Sequence, residues 1–137
     1  NYSTNAGSEI NLYGANLKAV KAVSGNDGNI WLTALNNIVM DGVKFVTANA
    51  SQEAANREGG NVKLQAGKKV SVTNSDINAI GNVDAISKDF DIAINKTKIA
   101  SAKDVTLDAG NFASIQSGSN VNAKNVTVKV VPKPLVI

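Results

Sequence analysis

A short phrase recurs along this chain at a nearly fixed interval. Gly60-Asn61-Val62-Lys63-Leu64-Gln65-Ala66 returns as Gly81-Asn82-Val83-Asp84-Ala85-Ile86-Ser87, and earlier reads Gly28-Asn29-Ile30-Trp31-Leu32-Thr33-Ala34. It is heard again in Lys103-Asp104-Val105-Thr106-Leu107-Asp108-Ala109 and in Lys124-Asn125-Val126-Thr127-Val128-Lys129-Val130. The leads Val62, Val83, Val105 and Val126 follow one another with a period of 21–22 (83−62, 105−83, 126−105). A period of this length is the signature of a solenoid, in which each repeat buries its apolar face only against its neighbours.

Within a repeat the alternation is two-fold and short. Val62, Leu64 and Ala66 alternate with Lys63 and Gln65; Val70 and Val72 alternate after the Gly67-Lys68-Lys69 corner; Ile77 and Ala79 make the last pair. That is the pattern of three short strands, each with one buried face. No two-residue hairpin turn joins them, so each strand pairs in parallel with its counterpart one repeat away. The inward columns are Ile30/Val62/Val83/Val105/Val126, Leu32/Leu64/Ala85/Leu107/Val128, Ala34/Ala66/Ser87/Ala109/Val130, Ile38/Val70/Ile92/Ala113, Met40/Val72/Ile94/Ile115, Phe45/Ile77/Ile99/Val121 and Thr47/Ala79/Ser101/Ala123. The N-terminal stretch fits half a rung, with Ile10, Leu12, Leu17 and Ala19 matching Val70, Val72, Ile77 and Ala79. The expectation is an all-β chain: a parallel β-helix of five to six rungs over residues 1–131, then a tail at 132–137. Val131-Pro132-Lys133-Pro134 ends the pattern because proline cannot continue a paired strand. Ser87 and Ser101 place hydroxyls in inward columns, which predicts a weaker fourth rung.

Asn29, Asn61, Asn82, Asp104 and Asn125 occupy one corner position. Asn and Asp suit tight bends, and their stacked side chains can bond along the axis, so this column reads as a structural ladder. Lys44, Asp76 and Lys98 form a column of alternating charge, read as exposed cross-rung pairing. The step from Ile30 to Val62 exceeds the others by about half a period, and the excess lies at 48–59. Ser51 to Glu58 reads as a short helix, capped by Ser51, with Glu53 and Arg57 at i and i+4, and stopped by Gly59-Gly60. Insertions on solenoids fall on one face, often the binding face. Asn49, Ser51, Gln52, Glu53, Asn56, Arg57 and Glu58 are therefore candidate recognition residues beside the simpler reading of a tolerated surface excursion.

Composition narrows the chemistry. The 137 residues include no His and no Cys, so the commonest general base, the commonest transition-metal ligand and the thiolate are all missing. The net charge of +3 is carried by scattered Lys, with Arg57 the sole arginine. Neither a nucleic-acid surface nor a membrane-spanning run is indicated. No cofactor or metal is expected: the phosphate-loop and Gly-Gly-x-Gly-x-Asp calcium patterns do not occur. Asp84, Asp89, Asp91, Asp104 and Asp108 raise the question of a carboxylate pair acting on polysaccharide, but with no His and one Arg the site is poorly provisioned, and the chain is read as non-enzymatic, with a small polysaccharide-binding or polysaccharide-cleaving β-helix as the alternative from another class. A Thr array of the ice-binding kind, sought in Thr33, Lys63, Asp84, Thr106 and Thr127, is broken by charge. Asn1, Asn49, Asn95 and Asn125 open glycosylation triplets, Asn49 the most suggestive because it opens the insertion. Phe90 and Phe112 stand at nearly corresponding corners, one rung apart.

Several copies together carry a resemblance. Gln116-Ser117-Gly118-Ser119-Asn120-Val121-Asn122-Ala123-Lys124-Asn125-Val126-Thr127-Val128, Asn74-Ser75-Asp76-Ile77-Asn78-Ala79 and Gly60-Asn61-Val62-Lys63-Leu64-Gln65-Ala66-Gly67 resemble the repeats of filamentous haemagglutinin-type exoproteins. The resemblance covers most of residues 8–130. It implies a right-handed parallel β-helix from a protein secreted by Gram-negative bacteria through the two-partner pathway, either an adhesin or the stick of a contact-dependent growth inhibition protein. The implied partners are a receptor or glycan on a host or neighbouring cell and, for the parent protein, an outer-membrane transporter. The family's N-terminal secretion motifs and a toxin-like C-terminal domain are not found in this sequence. The start without Met or leader reads as an internal or processed piece.

Overall fold

A computed structural model describes residues 2–21, 28–49 and 59–130. They form sixteen strands, three to a turn. The first turn holds β1 (Tyr2–Ala6), β2 (Ile10–Tyr13) and β3 (Asn16–Lys21); the second β4 (Ile30–Ala34), β5 (Ile38–Asp41) and β6 (Lys44–Asn49); the third β7 (Val62–Ala66), β8 (Val70–Thr73) and β9 (Asp76–Ala79). The fourth holds β10 (Val83–Ser87), β11 (Asp91–Asn95) and β12 (Lys98–Ser101); the fifth β13 (Asp104–Ala109), β14 (Phe112–Ile115) and β15 (Asn120–Asn122); β16 (Asn125–Val130) opens a sixth. Corresponding strands stack into three sheets, ordered β1-β4-β7-β10-β13-β16, β2-β5-β8-β11-β14 and β3-β6-β9-β12-β15. Every pairing is parallel. The chain is a parallel β-helix, and the first sheet spans about 24 Å along the axis at ~4.8 Å per rung.

The columns read from the sequence are those of the structure. Ile30, Val62, Val83, Val105 and Val126 are register partners in turn, and Ile30 stays in register with Val62 across the longest step of the repeat. The extra length therefore shifts no pair of this register, from Ile30↔Val62 to Ala34↔Ala66. The inward side chains form one continuous core, with Phe45 its largest wholly buried member.

Two assignments change. The N-terminal rung is complete, because β1 pairs with β4 from Tyr2↔Ile30 to Ala6↔Ala34. Its column carries Thr4 where later rungs carry Leu, Ala or Val, and the step from Tyr2 to Ile30 is also longer than the period, so neither residue type nor spacing announced it. The partial rung lies instead at the other end. There β16 has no neighbour beyond it among the described residues, and Val126 and Val128 are 45% and 48% exposed. The helix expected over Ser51–Glu58 falls outside the described residues, as does the tail at 132–137. No described residue is helical.

Corners are hydrogen-bonded from rung to rung as thoroughly as strands. In the Asn column the side-chain oxygen accepts from the next rung's backbone: Asn61 N–H donates to Asn29 Oδ1 at 2.9 Å, Asn82 N–H to Asn61 Oδ1 at 2.8 Å and Asp104 N–H to Asn82 Oδ1 at 3.2 Å. Only the last step, Asn125 Nδ2 to Asp104 Oδ1 at 3.0 Å, joins two side chains. A second ladder of hydroxyls runs through another corner in the opposite sense. Val43 N–H donates to Ser75 Oγ at 3.1 Å, Ser75 N–H to Thr97 Oγ1 at 3.3 Å, and Thr97 N–H to Ser119 Oγ at 3.2 Å. Beside it stands a column of left-handed residues, Gly14, Gly42, Asn74, Lys96 and Gly118, with φ between 48° and 83°.

The hydroxyls expected to weaken the fourth rung are themselves satisfied. Ser87 Oγ donates to the Lys68 carbonyl and accepts from Phe90 N–H at 3.1 Å; Ser101 Oγ donates to the Gly81 carbonyl at 2.6 Å and accepts from Lys103 N–H at 3.0 Å. A bonded hydroxyl carries little of the burial penalty of a free one, so these residues fasten corners to their neighbours.

Candidate functional site

Strand alternation leaves every second side chain of the first sheet facing outward. Register then sets these residues in rows: Ser3 and Asn5 on the first rung, Trp31 and Thr33 on the second, Lys63 and Gln65 on the third, Asp84 and Ile86 on the fourth, Thr106 and Asp108 on the fifth. The Thr array sought in the sequence mixed two columns. Trp31, not Thr33, aligns with Lys63, Asp84 and Thr106, while Thr33 aligns with Gln65.

This face is concave in two adjoining places. A basin of about 300 Å³ is bordered by Trp31, Asn61, Lys63, Asn82 and Asp84 among others. A longer furrow of about 630 Å³ follows the corner after the first sheet and draws residues from five rungs, including Asn5, Leu35, Gln65, Lys88 and Asp108. Thr33 and Gln65 border both, so the two are continuous.

The furrow has a steric origin. Its corner position is Gly7, Leu35, Gly67, Lys88 and Gly110 on successive rungs. A Cβ on Gly67 would lie against the Leu35 carbonyl oxygen, and one on Gly110 against that of Lys88. Side chains therefore stand on the second and fourth rungs with bare backbone between and beyond them. Leu35 projects with 66% of its surface exposed, and Trp31 on the same rung with 43%.

Asp84 is half-buried in the basin. Burial pushes its carboxyl above the ordinary carboxylate range; the Lys63 ammonium acts against that shift and the Asp104 carboxylate adds to it.

The remaining sequence candidates fall elsewhere. Asn49 ends β6, its backbone paired with Lys21; Ser51, Gln52, Glu53, Asn56, Arg57 and Glu58 lie outside the described residues. Asn29, Asn61, Asn82, Asp104 and Asn125 form the ladder already described, and of these Asn61 and Asn82 border the basin. Lys44, Asp76 and Lys98 are register neighbours on the third sheet. Asp104 and Asp108 lie on one strand, four positions or about 13 Å apart along it, wider than a glycosidase carboxylate pair. Asp91 accepts from Asn111 Nδ2 at 3.0 Å. Phe112 stands opposite Asp91 rather than Phe90, so the two aromatic positions are out of register. The sequence pattern did not single out Trp31, Leu35, Gln65 or Lys88. The available signal was two large apolar residues at the outward positions of a single repeat.

The fold and face together define a parallel β-helix whose first sheet presents a mixed aromatic and polar outer surface. Comparison with protein-family models, with curated proteins and with solved structures gave no match.

Proposed function

We propose that this chain is part of a secreted bacterial exoprotein of the filamentous haemagglutinin type, displayed at the outer surface of a Gram-negative cell, where it acts as a stiff rod presenting a binding face to a host or neighbouring cell. The observation that supports this most is the unbroken parallel register of the first sheet, carried across both irregular steps of the period. Each rung is clamped to the next by strand and corner hydrogen bonds, so bending the rod means breaking several at once. The stick of a contact-dependent inhibition protein, from the same family, is the second reading; its partner is a receptor on another bacterium. The outer-membrane transporter of the parent protein belongs to both.

The test is binding of the fluorescently labelled chain to epithelial cells and to Gram-negative bacteria. Saturable binding to one of them above that of an unrelated β-helix is expected. Binding no greater than the unrelated helix, on both cell types, would refute the reading, and the preferred cell type separates adhesin from stick.

A further inference from the structure

The outer face of the second to fourth rungs carries chemistry that the solenoid does not need. Trp31 and Leu35 are outward on one rung and flank Thr33. The next rung offers an ammonium and an amide, Lys63 and Gln65, with bare backbone at Gly67; the rung after it offers the Asp84 carboxylate and the Lys88 ammonium. Within two rung spacings, about 10 Å, an apolar platform meets donors and acceptors of both signs.

Different ligands would want different surfaces. An extended peptide is recognised by adding a strand to a sheet edge, and the edges here are at the ends of the stack, away from this face. Single-stranded nucleic acid wants a basic groove with several stacking rings; here Trp31 is the chain's sole tryptophan and Asp84 and Asp108 sit among the lysines. A pyranose ring has an apolar C–H face and a rim of hydroxyls that both donate and accept. The first suits an exposed indole, the second a carboxylate and a primary amide, which bond two atoms at once. The furrow continues across five rungs, about 19 Å from first to fifth, and the rung spacing is close to the length of one pyranose residue.

We propose that this face is a carbohydrate-binding site in which a pyranose of a neutral oligosaccharide stacks on Trp31, its hydroxyls are held by Gln65, Lys63 and Asp84, and the chain runs along the helix axis in the furrow past Leu35. The inference rests on the reading of the rod as a binding surface and names its partner as glycan.

Because Trp31 is the sole tryptophan, its emission reports directly on the site. The chain is titrated with neutral tetrasaccharides built on glucose, galactose, mannose and N-acetylglucosamine. Saturable quenching by at least one is expected, with its monosaccharide binding about tenfold more weakly or worse. The bound tetrasaccharide, immobilised, should capture Trp31→Phe but lose Trp31→Ala, and Gln65→Ala should weaken capture about tenfold, each variant giving the wild-type far-UV spectrum. No saturable quenching by any of the four, or capture undiminished in Trp31→Ala, overturns the proposal. Cell binding that survives periodate oxidation but not trypsin would also overturn it, pointing to a protein receptor while leaving the rod reading intact. Absence of cell binding altogether would sink that reading, whatever the titration gives.

Discussion

Asn61 offers a measurement of what the corner ladder contributes. Its Oδ1 accepts the Asn82 backbone N–H at 2.8 Å, and that amide is part-buried. Replacing Asn61 with Ala removes the acceptor and leaves the amide facing a gap that its own rung cannot fill. A hydrogen bond of this kind contributes about 1 kcal/mol net, and a stranded donor raises the loss toward about 2 kcal/mol. At the specific unfolding entropy of globular proteins, a chain of 137 residues should then melt roughly 3–7 °C lower. Asn125 is the internal control. It belongs to the same column, but no described rung stands beyond it, and its bond is an exposed one from Nδ2 to Asp104. Asn125→Ala should therefore cost under about 0.5 kcal/mol. Thermal and urea unfolding followed by Trp31 emission and far-UV circular dichroism would measure both, with coincident transitions as the check on two-state treatment. Equal losses for the two variants, or a wild-type transition for Asn61→Ala, would refute the ladder as a source of stability and reduce it to a turn preference.

Three further outcomes follow from other positions. Lys96 holds φ at 48° in a column otherwise made of Gly and Asn; Lys96→Gly should stabilise the chain by about 0.5–1 kcal/mol, seen as a higher urea midpoint at unchanged slope, and a lower midpoint would contradict the strain argument. Gly67→Ala should cost about 1–3 kcal/mol because its Cβ meets the Leu35 backbone, whereas Gly7→Ala, with nothing within 4 Å, should be neutral or slightly stabilising; similar melting of the two variants would discount the packing of successive rungs at this corner. Asp84, its carboxyl raised by burial, binds more protons folded than unfolded between its ordinary and raised values, so its contribution is fully present below the ordinary value and is lost as pH rises through the raised one. Asp84→Asn should accordingly be at least as stable as wild type at neutral pH and should lack that part of the acid-range slope; a variant less stable at neutral pH would show that the charge is held by a partner instead.

Much of the architecture was legible because one physical rule is repeated. An inward residue every second position, three strands to a turn and a nearly constant period leave few alternatives, and Val62, Leu64 and Ala66 announce their columns without help. The rule fails where composition drifts from it. Thr4 hides the first rung, and the left-handed column passes from Gly14 through Asn74 to Lys96, so no single residue type marks it. The direction of the corner bonds was also out of reach: Asn29 and Asn61 could have bonded amide to amide, and the backbone N–H won because it has no strand partner of its own at the bend.

The amino-acid sequence alone determined that this chain coils and which residues fill the coil, since burial depends on spacing along the chain and spacing is written in it. Which outward residues become neighbours was decided only by the stacked rungs. Trp31, Lys63 and Asp84 are far apart along the chain and unequally spaced, yet register sets them side by side on one face. Solvent-facing positions obey no burial rule, so only the hydrogen bonds between rungs, held in register whatever the spacing along the chain, fix the surface they make.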